Sequence, residues 1–360
     1  MPDAFLLLSF GGPEGPDDVL PFLQNVTAGR GVPPERLAEV AEHYARFDGV
    51  SPINEQNRAL LGALAADFRD QGVDLPLYWG NRNWHPMLAD TLAQMRADGI
   101  QDVVAFVTSA YGGYSSCRQY LDDIDRAREQ VGPGAPAIRK LPHFYDHPGF
   151  IEPHADGVRE AFAKVGDDAH LVFTAHSIPV SMALSAGPGG GLYEAQLREA
   201  ARLVAERAAP GKHWDLVWQS RSGPPQVPWL EPDVNDFLRT LKKGVVVSPI
   251  GFVSDHLEVV WDLDTEAAAT AAELGLPFAR AATPGVDPRF VRMVTDLVRS
   301  AAQPSPGIGT LSSDPGASGG DGTSLVTQTP WRGRDLLGPA QKPTCGAGCC
   351  PAPARAMGGR

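Results

Sequence analysis

The chain has 360 residues, 43% of them hydrophobic and 21% charged, a globular composition with enough apolar mass for two domains of ordinary size. Its formal net charge of −12 argues against nucleic acid or an anionic membrane surface as a partner. No apolar run reaches the roughly 18 residues that a membrane-spanning helix needs, so no transmembrane segment is expected.

Met1-Pro2-Asp3 leads directly into Ala4-Phe5-Leu6-Leu7-Leu8-Ser9, a run without a basic leader and too short for a signal peptide. It reads as the first strand of a soluble cytoplasmic protein, whose cysteines are then expected as thiols or metal ligands rather than disulfides. Further strands are expected at 74–79, 102–108, 136–141, 169–175, 214–218, 243–249 and 276–280. Amphipathic patterns of ten to twenty residues separate them, the βαβ signature of parallel sheets covered by helices on both faces. In such folds ligands bind at loops beyond the carboxyl ends of the strands.

The pattern repeats within the chain. Trp79 and Arg82 recur as Trp218 and Arg221, and Ser109, Gly112, Ser115, Asp123 and Asp125 align without gaps on Ser248, Gly251, Ser254, Asp262 and Asp264. Upstream, Ser9-Phe10-Gly11-Gly12-Pro13 lies over Ala175-His176-Ser177-Ile178-Pro179, which sets Phe10 opposite His176, while Cys117 falls opposite His256. Duplication explains three matches in one order. The expected architecture is therefore two related Rossmann-like α/β lobes, 1–150 and 151–302, each a four-stranded parallel sheet, with a cleft between them. The interval Phe10–Trp79 exceeds His176–Trp218 by 27 residues, so the first lobe carries an inserted helical segment at about 30–70, expected as a lip over the cleft.

Two features of the second half carry chemistry. His176 ends the apolar run Val172-Phe173-Thr174-Ala175, and Glu258, Asp262 and Glu266 fall at i, i+4 and i+8 of a helical pattern, one acidic stripe. Like charges at that spacing oppose a helix by about 0.2–0.5 kcal/mol per pair, so the row calls for another reason to exist. A strand-end histidine facing carboxylates can handle a divalent metal and protons together; the competing reading is a solvated helix face and a satisfied core histidine. Gly187-Pro188-Gly189-Gly190-Gly191 lacks a phosphate-loop Lys-Ser/Thr and reads as a mobile loop, and Trp79 and Trp218 read as strand-end packing. Residues 303–343 form a linker rich in Pro, Gly and Ser, followed at 344–360 by a tail containing Thr344-Cys345-Gly346-Ala347-Gly348-Cys349-Cys350.

Together the segments His176-Ser177-Ile178-Pro179, Trp218-Gln219-Ser220 and Gly251-Phe252-Val253-Ser254-Asp255-His256-Leu257-Glu258 resemble the ferrochelatase family, enzymes that insert ferrous iron into a porphyrin. The resemblance covers about residues 4–300 and implies that His176 and Glu258 face each other across the porphyrin site and contact the iron. The chemistry agrees: metal insertion displaces two pyrrole protons, histidine titrates near neutrality, and imidazole with carboxylate binds Fe²⁺ labilely. Asp262 and Glu266 are then expected to relay protons or guide the cation, supported by His256 and Asp255. The stretch Tyr44-Ala45-Arg46-Phe47-Asp48-Gly49-Val50-Ser51-Pro52 is similar to the family's substrate lip, with Ser51 at its propionate-contacting serine and Tyr120 at a tyrosine of the same role. Tyr44 belongs to the same expected porphyrin contacts, and Arg30 and Arg46 are expected as charge partners of the propionates. The chain departs from the family pattern at Phe10, where many bacterial members have a tyrosine that ligates the product iron, and at Thr27 and His43, which stand where lip arginines are expected.

The four cysteines, Cys117, Cys345, Cys349 and Cys350, match a ferrochelatase subset in which one internal and three tail thiolates hold a [2Fe–2S] cluster. Zinc or a redox-sensing role would use the same set. The expected activity is insertion of Fe²⁺ into coproporphyrin III, giving iron-coproporphyrin for haem synthesis, by a monomer without ATP. Protoporphyrin IX is the alternative substrate. Competing readings are a cobalt or sirohydrochlorin chelatase, and a haem-binding or iron–sulfur sensor without turnover, which would have no use for both His176 and Glu258.

Overall fold

The computed structural model describes residues 1–29, 31–223, 226–302 and 349–352. Arg30, Cys345, the linker and most of the tail lie outside the described residues. The first half contains β1 (Ala4–Ser9), α1 (Pro16–Val26), α2 (Pro34–Ala45), α3 (Ile53–Asp70), β2 (Leu77–Asn81), α4 (Leu88–Ala97) and β3 (Asp102–Val107). A π-helix at Tyr114–Arg118 then runs into α5 (Gln119–Val131), followed by β4 (Ala137–Lys140). The second half opens with α6 (Pro148–Val165) and continues through β5 (His170–His176), α7 (Val180–Leu184), α8 (Leu192–Ala208), β6 (Trp214–Gln219), α9 (Val234–Leu238) and β7 (Val245–Ser248). A single turn, α10 (Leu257–Val259), enters a second π-helix at Val260–Ala267 and then α11 (Ala268–Glu273), β8 (Phe278–Arg280) and α12 (Pro288–Ala302).

Two four-stranded sheets result, ordered β2-β1-β3-β4 and β6-β5-β7-β8, with every neighbouring pair parallel. The repeat seen in the sequence is thus a repeat of topology: in each half the first strand pairs with both the second and the third. All six residues of β1 are buried, as continuous apolar strands of a sheet covered on both faces must be.

The halves share an apolar core. Phe106 of β3 stacks on Phe144 (centroids 5.0 Å apart), which meets Phe150 of α6 and Phe290 of α12 edge-on. α12 packs against α6 and also against α3 of the first half. Tyr111, almost fully buried, donates its hydroxyl to the carbonyl of Ile250 at 2.6 Å. That bond joins the loop after β3 to the loop after β7, two positions that are equivalent in the internal repeat. The carboxyl ends of both sheets are thereby held in fixed relation, and the site is built there.

Candidate active site

His176 is the last residue of β5, so its backbone is fixed by the sheet while its imidazole emerges at the strand end, about a third exposed. The Nδ1–H donates to the carbonyl of Ser177. This contact selects the tautomer and leaves the Nε2 lone pair facing outward. Nε2 lies 3.6 Å from Oε2 of Glu258. The backbone carbonyl of His176 accepts from Tyr193 Oη at 3.0 Å, and the Tyr193 ring stacks on Trp218. Trp218 is 2% exposed and packs the end of β6, as its sequence position suggested.

Glu258 is delivered by the segment after β7. Gly251 lets that segment cross β5 closely, because a Cβ there would lie 2.7 Å from Ala175 Cβ. His256 caps the following helix: its Nδ1 accepts the N–H of Glu258 at 3.2 Å and lies 3.9 Å from Glu258 Oε2. Burial lowers the His256 pKa, the Glu258 charge opposes that, and His176 adds to it. A neutral His256 is what the cap requires, since a protonated ring would have no acceptor.

The acidic row continues on the second π-helix rather than on an α-helix. Its i→i+5 bonding still lays Glu258, Asp262 and Glu266 along one side, and π-turns of this kind recur at functional sites. Asp262 accepts from Ser220 Oγ and, at 3.3 Å, from Gln219 Nε2. Burial raises its pKa to about 8, Glu258 and Glu266 push it the same way, and the two hydrogen bonds only partly offset them. Glu266 is exposed at the outer end of the row. The site therefore holds a hydrogen-bond-oriented imidazole, an exposed carboxylate and a carboxyl that keeps its proton near neutral pH.

The helices between β1 and β2 cover this row. Tyr44 is buried among Val19, Phe22, Leu23 and Leu257, and its pKa rises through burial and the nearby Glu258 charge. His43 stacks on Trp261 of the π-helix at 4.1 Å, and the guanidinium of Arg46 lies 5.1 Å from the same ring. The His43 pKa is lowered, chiefly by burial. Phe10 follows β1 directly and is 37% exposed, in edge contact with Phe22, which itself meets Tyr44 and Trp84. Phe10, Phe22 and Tyr44 thus form an aromatic wall leading from β1 to Leu257.

Other expected site residues lie deeper. Ser51 is 4% exposed and packs against Gly12, where a Cβ would come within 2.7 Å of Ser51 Cβ. Tyr120 is also 4% exposed, beneath the Arg82 guanidinium at 4.4 Å. Arg82, not singled out from sequence as a site residue, pairs with Asp123 and reaches over both Tyr120 and Phe10 (5.7 Å). Cys117 is buried in the first π-helix. Cys349 and Cys350 are buried as well, their sulfurs 3.7 Å apart, and Cys350 Sγ accepts the N–H of Gly187 at 3.1 Å. The glycine loop 187–191 is therefore a docking point for the tail, which composition did not indicate. Among the described residues no three His, Cys, Asp or Glu side chains close into a metal cage. No described helix is long and apolar enough to cross a membrane.

Comparison with known proteins decides the family. Residues 2–302 match the family described as Ferrochelatase. The chain belongs to the ferrochelatase family. It is 58% identical to a coproporphyrin III ferrochelatase of Nocardia farcinica over 308 residues, covering 82% of this chain and 87% of that protein. Proteins of the same name from Mycobacteroides abscessus (55% identity; 85% and 90% covered) and Mycobacterium marinum (57%; 84% and 89%) match over similar spans. Membership sets a metal-chelating role beside the His176–Glu258 geometry.

Proposed function

We propose that this ferrochelatase inserts Fe²⁺ into coproporphyrin III, with His176 and Glu258 as the reacting pair. The carrying observation is that a strand-end imidazole, its Nδ1–H committed to Ser177, presents Nε2 3.6 Å from a carboxylate. The substrate reading rests on the relatives, which are named for coproporphyrin III at 55–58% identity.

Porphyrin metallation exchanges one divalent ion for two pyrrole protons, so the protein must take up protons as the metal leaves its hands. In this reading Glu258 and His176 Nε2 hold Fe²⁺ labilely beside the macrocycle, and once the ion has passed to the pyrrole nitrogens each takes one of the two displaced protons. Asp262 and Glu266 continue the route to solvent. A carboxyl with a pKa of about 8 holds a proton while the site is empty and gives it up when a cation arrives at Glu258. Phe10, with Phe22 and Tyr44 packed edge-on behind it, supplies an apolar surface, and Arg46, anchored on Trp261 beside the stacked His43, supplies a positive group at the lip. Ser51, Tyr120 and Arg30 complete the proposed porphyrin contacts. Phe10 offers no oxygen to the product iron, so any protein ligand to that iron comes from another group, such as His176 once Nε2 has passed its proton on.

The reading includes a [2Fe–2S] cluster on Cys117, Cys345, Cys349 and Cys350. Four thiolates are the donors such a cluster takes, and Cys349 and Cys350 are buried side by side with an N–H pointing at Cys350 Sγ, although Cys117, Cys349 and Cys350 do not by themselves close into a metal site. Ser115, two residues before Cys117, contacts Met182 (Oγ–Sδ 3.7 Å), which brings the first π-helix to the segment that leads into Gly187. Bound there, a cluster would cross-link tail and body and supply a one-electron redox centre. The proposal treats the enzyme as a cytoplasmic monomer.

Anaerobic turnover of the purified protein with Fe²⁺ tests the reading, with coproporphyrin III and protoporphyrin IX offered in parallel and the porphyrin spectrum followed. Conversion of coproporphyrin alone is expected. Conversion of neither, with porphyrin still bound, would replace this function with haem or porphyrin binding.

A further inference from the structure

Asp255, one residue before the cap residue His256 and three before Glu258, is gripped from three sides. Arg280, the last residue of β8, donates Nη1 to Oδ1 at 3.1 Å and Nη2 to Oδ2 at 3.0 Å, a bidentate fork. The same guanidinium binds Asp264 on the second π-helix through Nε (2.6 Å) and Nη2 (2.8 Å). Thr283 Oγ1 adds a third donor to Asp255 at 3.1 Å. From the other half of the molecule, Gln56 Oε1 accepts the backbone N–H of Asp255 at 2.8 Å.

Gln56 sits in the first turn of α3, and that turn is itself tied to the porphyrin side. Asn54, fully buried, donates Nδ2 to the carbonyls of Gly12 and His85 at 3.1 Å each and accepts from Asn81 at 3.2 Å. Gly12 lies two residues beyond Phe10. The first turn of α3 therefore carries two ties, Asn54 to the loop after β1 and, two residues on, Gln56 to Asp255 and so to the residues that meet His176.

We propose that Gln56, Asp255 and Arg280 form a clamp that sets His256 and Glu258 against His176, so that Gln56 and Arg280 are positioning residues for iron insertion. This rests on the iron-insertion reading above. Arg280 fixes two points of the acidic segment at once, Asp255 before the helix and Asp264 within it. Asp264 and Asp262 are two residues apart and so point to opposite sides of the helix. Holding Asp264 against β8 therefore aims Asp262 toward Ser220. The grip from Gln56 sets the same segment relative to the first half, which carries the lip. Displacing reacting groups by about 1 Å can lower a rate about a hundredfold, so a clamp at this distance from the chemistry has kinetic leverage.

The test uses the full chain and compares Gln56→Met, which keeps length but removes the acceptor, with Gln56→Glu, which keeps an acceptor oxygen. Arg280→Lys keeps charge but loses the fork. Steady-state kinetics would vary Fe²⁺ and coproporphyrin III separately, with porphyrin affinity read by fluorescence quenching and folding by thermal melts. Gln56→Met is expected to lower kcat/KM for Fe²⁺ about three- to tenfold and Arg280→Lys about ten- to a hundredfold, with porphyrin affinity changed less than about twofold. Gln56→Glu should recover most of the loss. The double variant should fall short of the product of the single effects, because both act through Asp255. Unchanged Fe²⁺ kinetics in Gln56→Met would overturn the proposal, whatever becomes of the arginine variant. Losses that follow porphyrin affinity and melting temperature together would also overturn it, by reducing the clamp to general stability. A wild-type protein that inserts no iron would overturn the iron-insertion reading and the clamp with it.

Discussion

Replacing Asp262 with asparagine is expected to stabilise the protein at alkaline pH while impairing turnover. An unfolded aspartate loses its proton near pH 3.8, whereas burial and the neighbouring Glu258 and Glu266 keep the folded Asp262 protonated up to about pH 8. Below about pH 4 the carboxyl is neutral in both states and folding is not penalised. As pH rises from 4 through 8, the unfolded chain releases a proton that the folded chain retains, and stability falls by about 1.4 kcal/mol per pH unit. Over that window of about four pH units the loss amounts to about 5 kcal/mol, and it levels off above pH 8. Asparagine is neutral throughout and keeps a carbonyl oxygen for Ser220 and Gln219. Urea denaturation of the metal-free proteins from pH 4 to 9 should therefore show two curves that meet at the acid end and separate steadily, the variant being the more stable. Parallel curves would refute the reasoning, because they would mean that Asp262 is ionised in the folded site. In the same preparation turnover should fall several-fold, since an amide cannot carry a proton along the row.

His176→Ala should abolish metal insertion while porphyrin titration, followed by absorbance, still shows binding; normal turnover would remove His176 from the chemistry. Tyr193→Phe keeps the ring stacked on Trp218 but strands the carbonyl of His176, so urea denaturation should show a loss of about 1 kcal/mol and turnover should drop several-fold. Deleting residues 343–360 should remove visible iron–sulfur absorbance and the corresponding reduced-state paramagnetic signal, and a truncated protein that stays brown would place the ligands elsewhere. Zinc in the untruncated protein, found by metal analysis without that absorbance, would reassign the same four thiolates.

The strands that the sequence revealed best are those whose residues are buried on both faces. β1 runs over the expected span 4–9 because every residue in it is apolar or small and buried. β2 was expected at 74–79 but occupies Leu77–Asn81. Pro76 cannot donate to a ladder, and the strand instead continues through Gly80 and Asn81, whose register with Leu8 and Ser9 no hydrophobic pattern announces. Pro277 likewise delays β8 to Phe278–Arg280. His176 and Glu258 stood out because an imidazole after a buried strand and a row of like charges are unusual in any fold. Arg82, Gln56 and Gly187 did not, since each acquires its role from a partner 41, 199 or 163 residues away. Nor does sequence spacing distinguish a π-turn from an α-turn, because Glu258, Asp262 and Glu266 make a stripe in either.

The two halves show how one scaffold came to hold two different environments. Arg82 and Arg221 occupy equivalent places after β2 and β6, as do Asp123 and Asp262 on the helices that follow β3 and β7. In the first half Arg82 turns inward, 5% exposed, and its guanidinium neutralises Asp123. In the second half Arg221 instead lies 3.8 Å from Glu231, and Asp262 receives only the hydroxyl of Ser220 and the amide of Gln219. A carboxylate beside a guanidinium has its charge balanced. One left with neutral donors, buried beside Glu258 and Glu266, keeps its proton until a cation displaces it. In the first half the arginine, paired with Asp123, lies over Tyr120 and Phe10. In the proposed reading the second half, with its arginine turned away from Asp262, exchanges protons for a metal. The difference between the halves lies less in which charged residues are present than in where one arginine points.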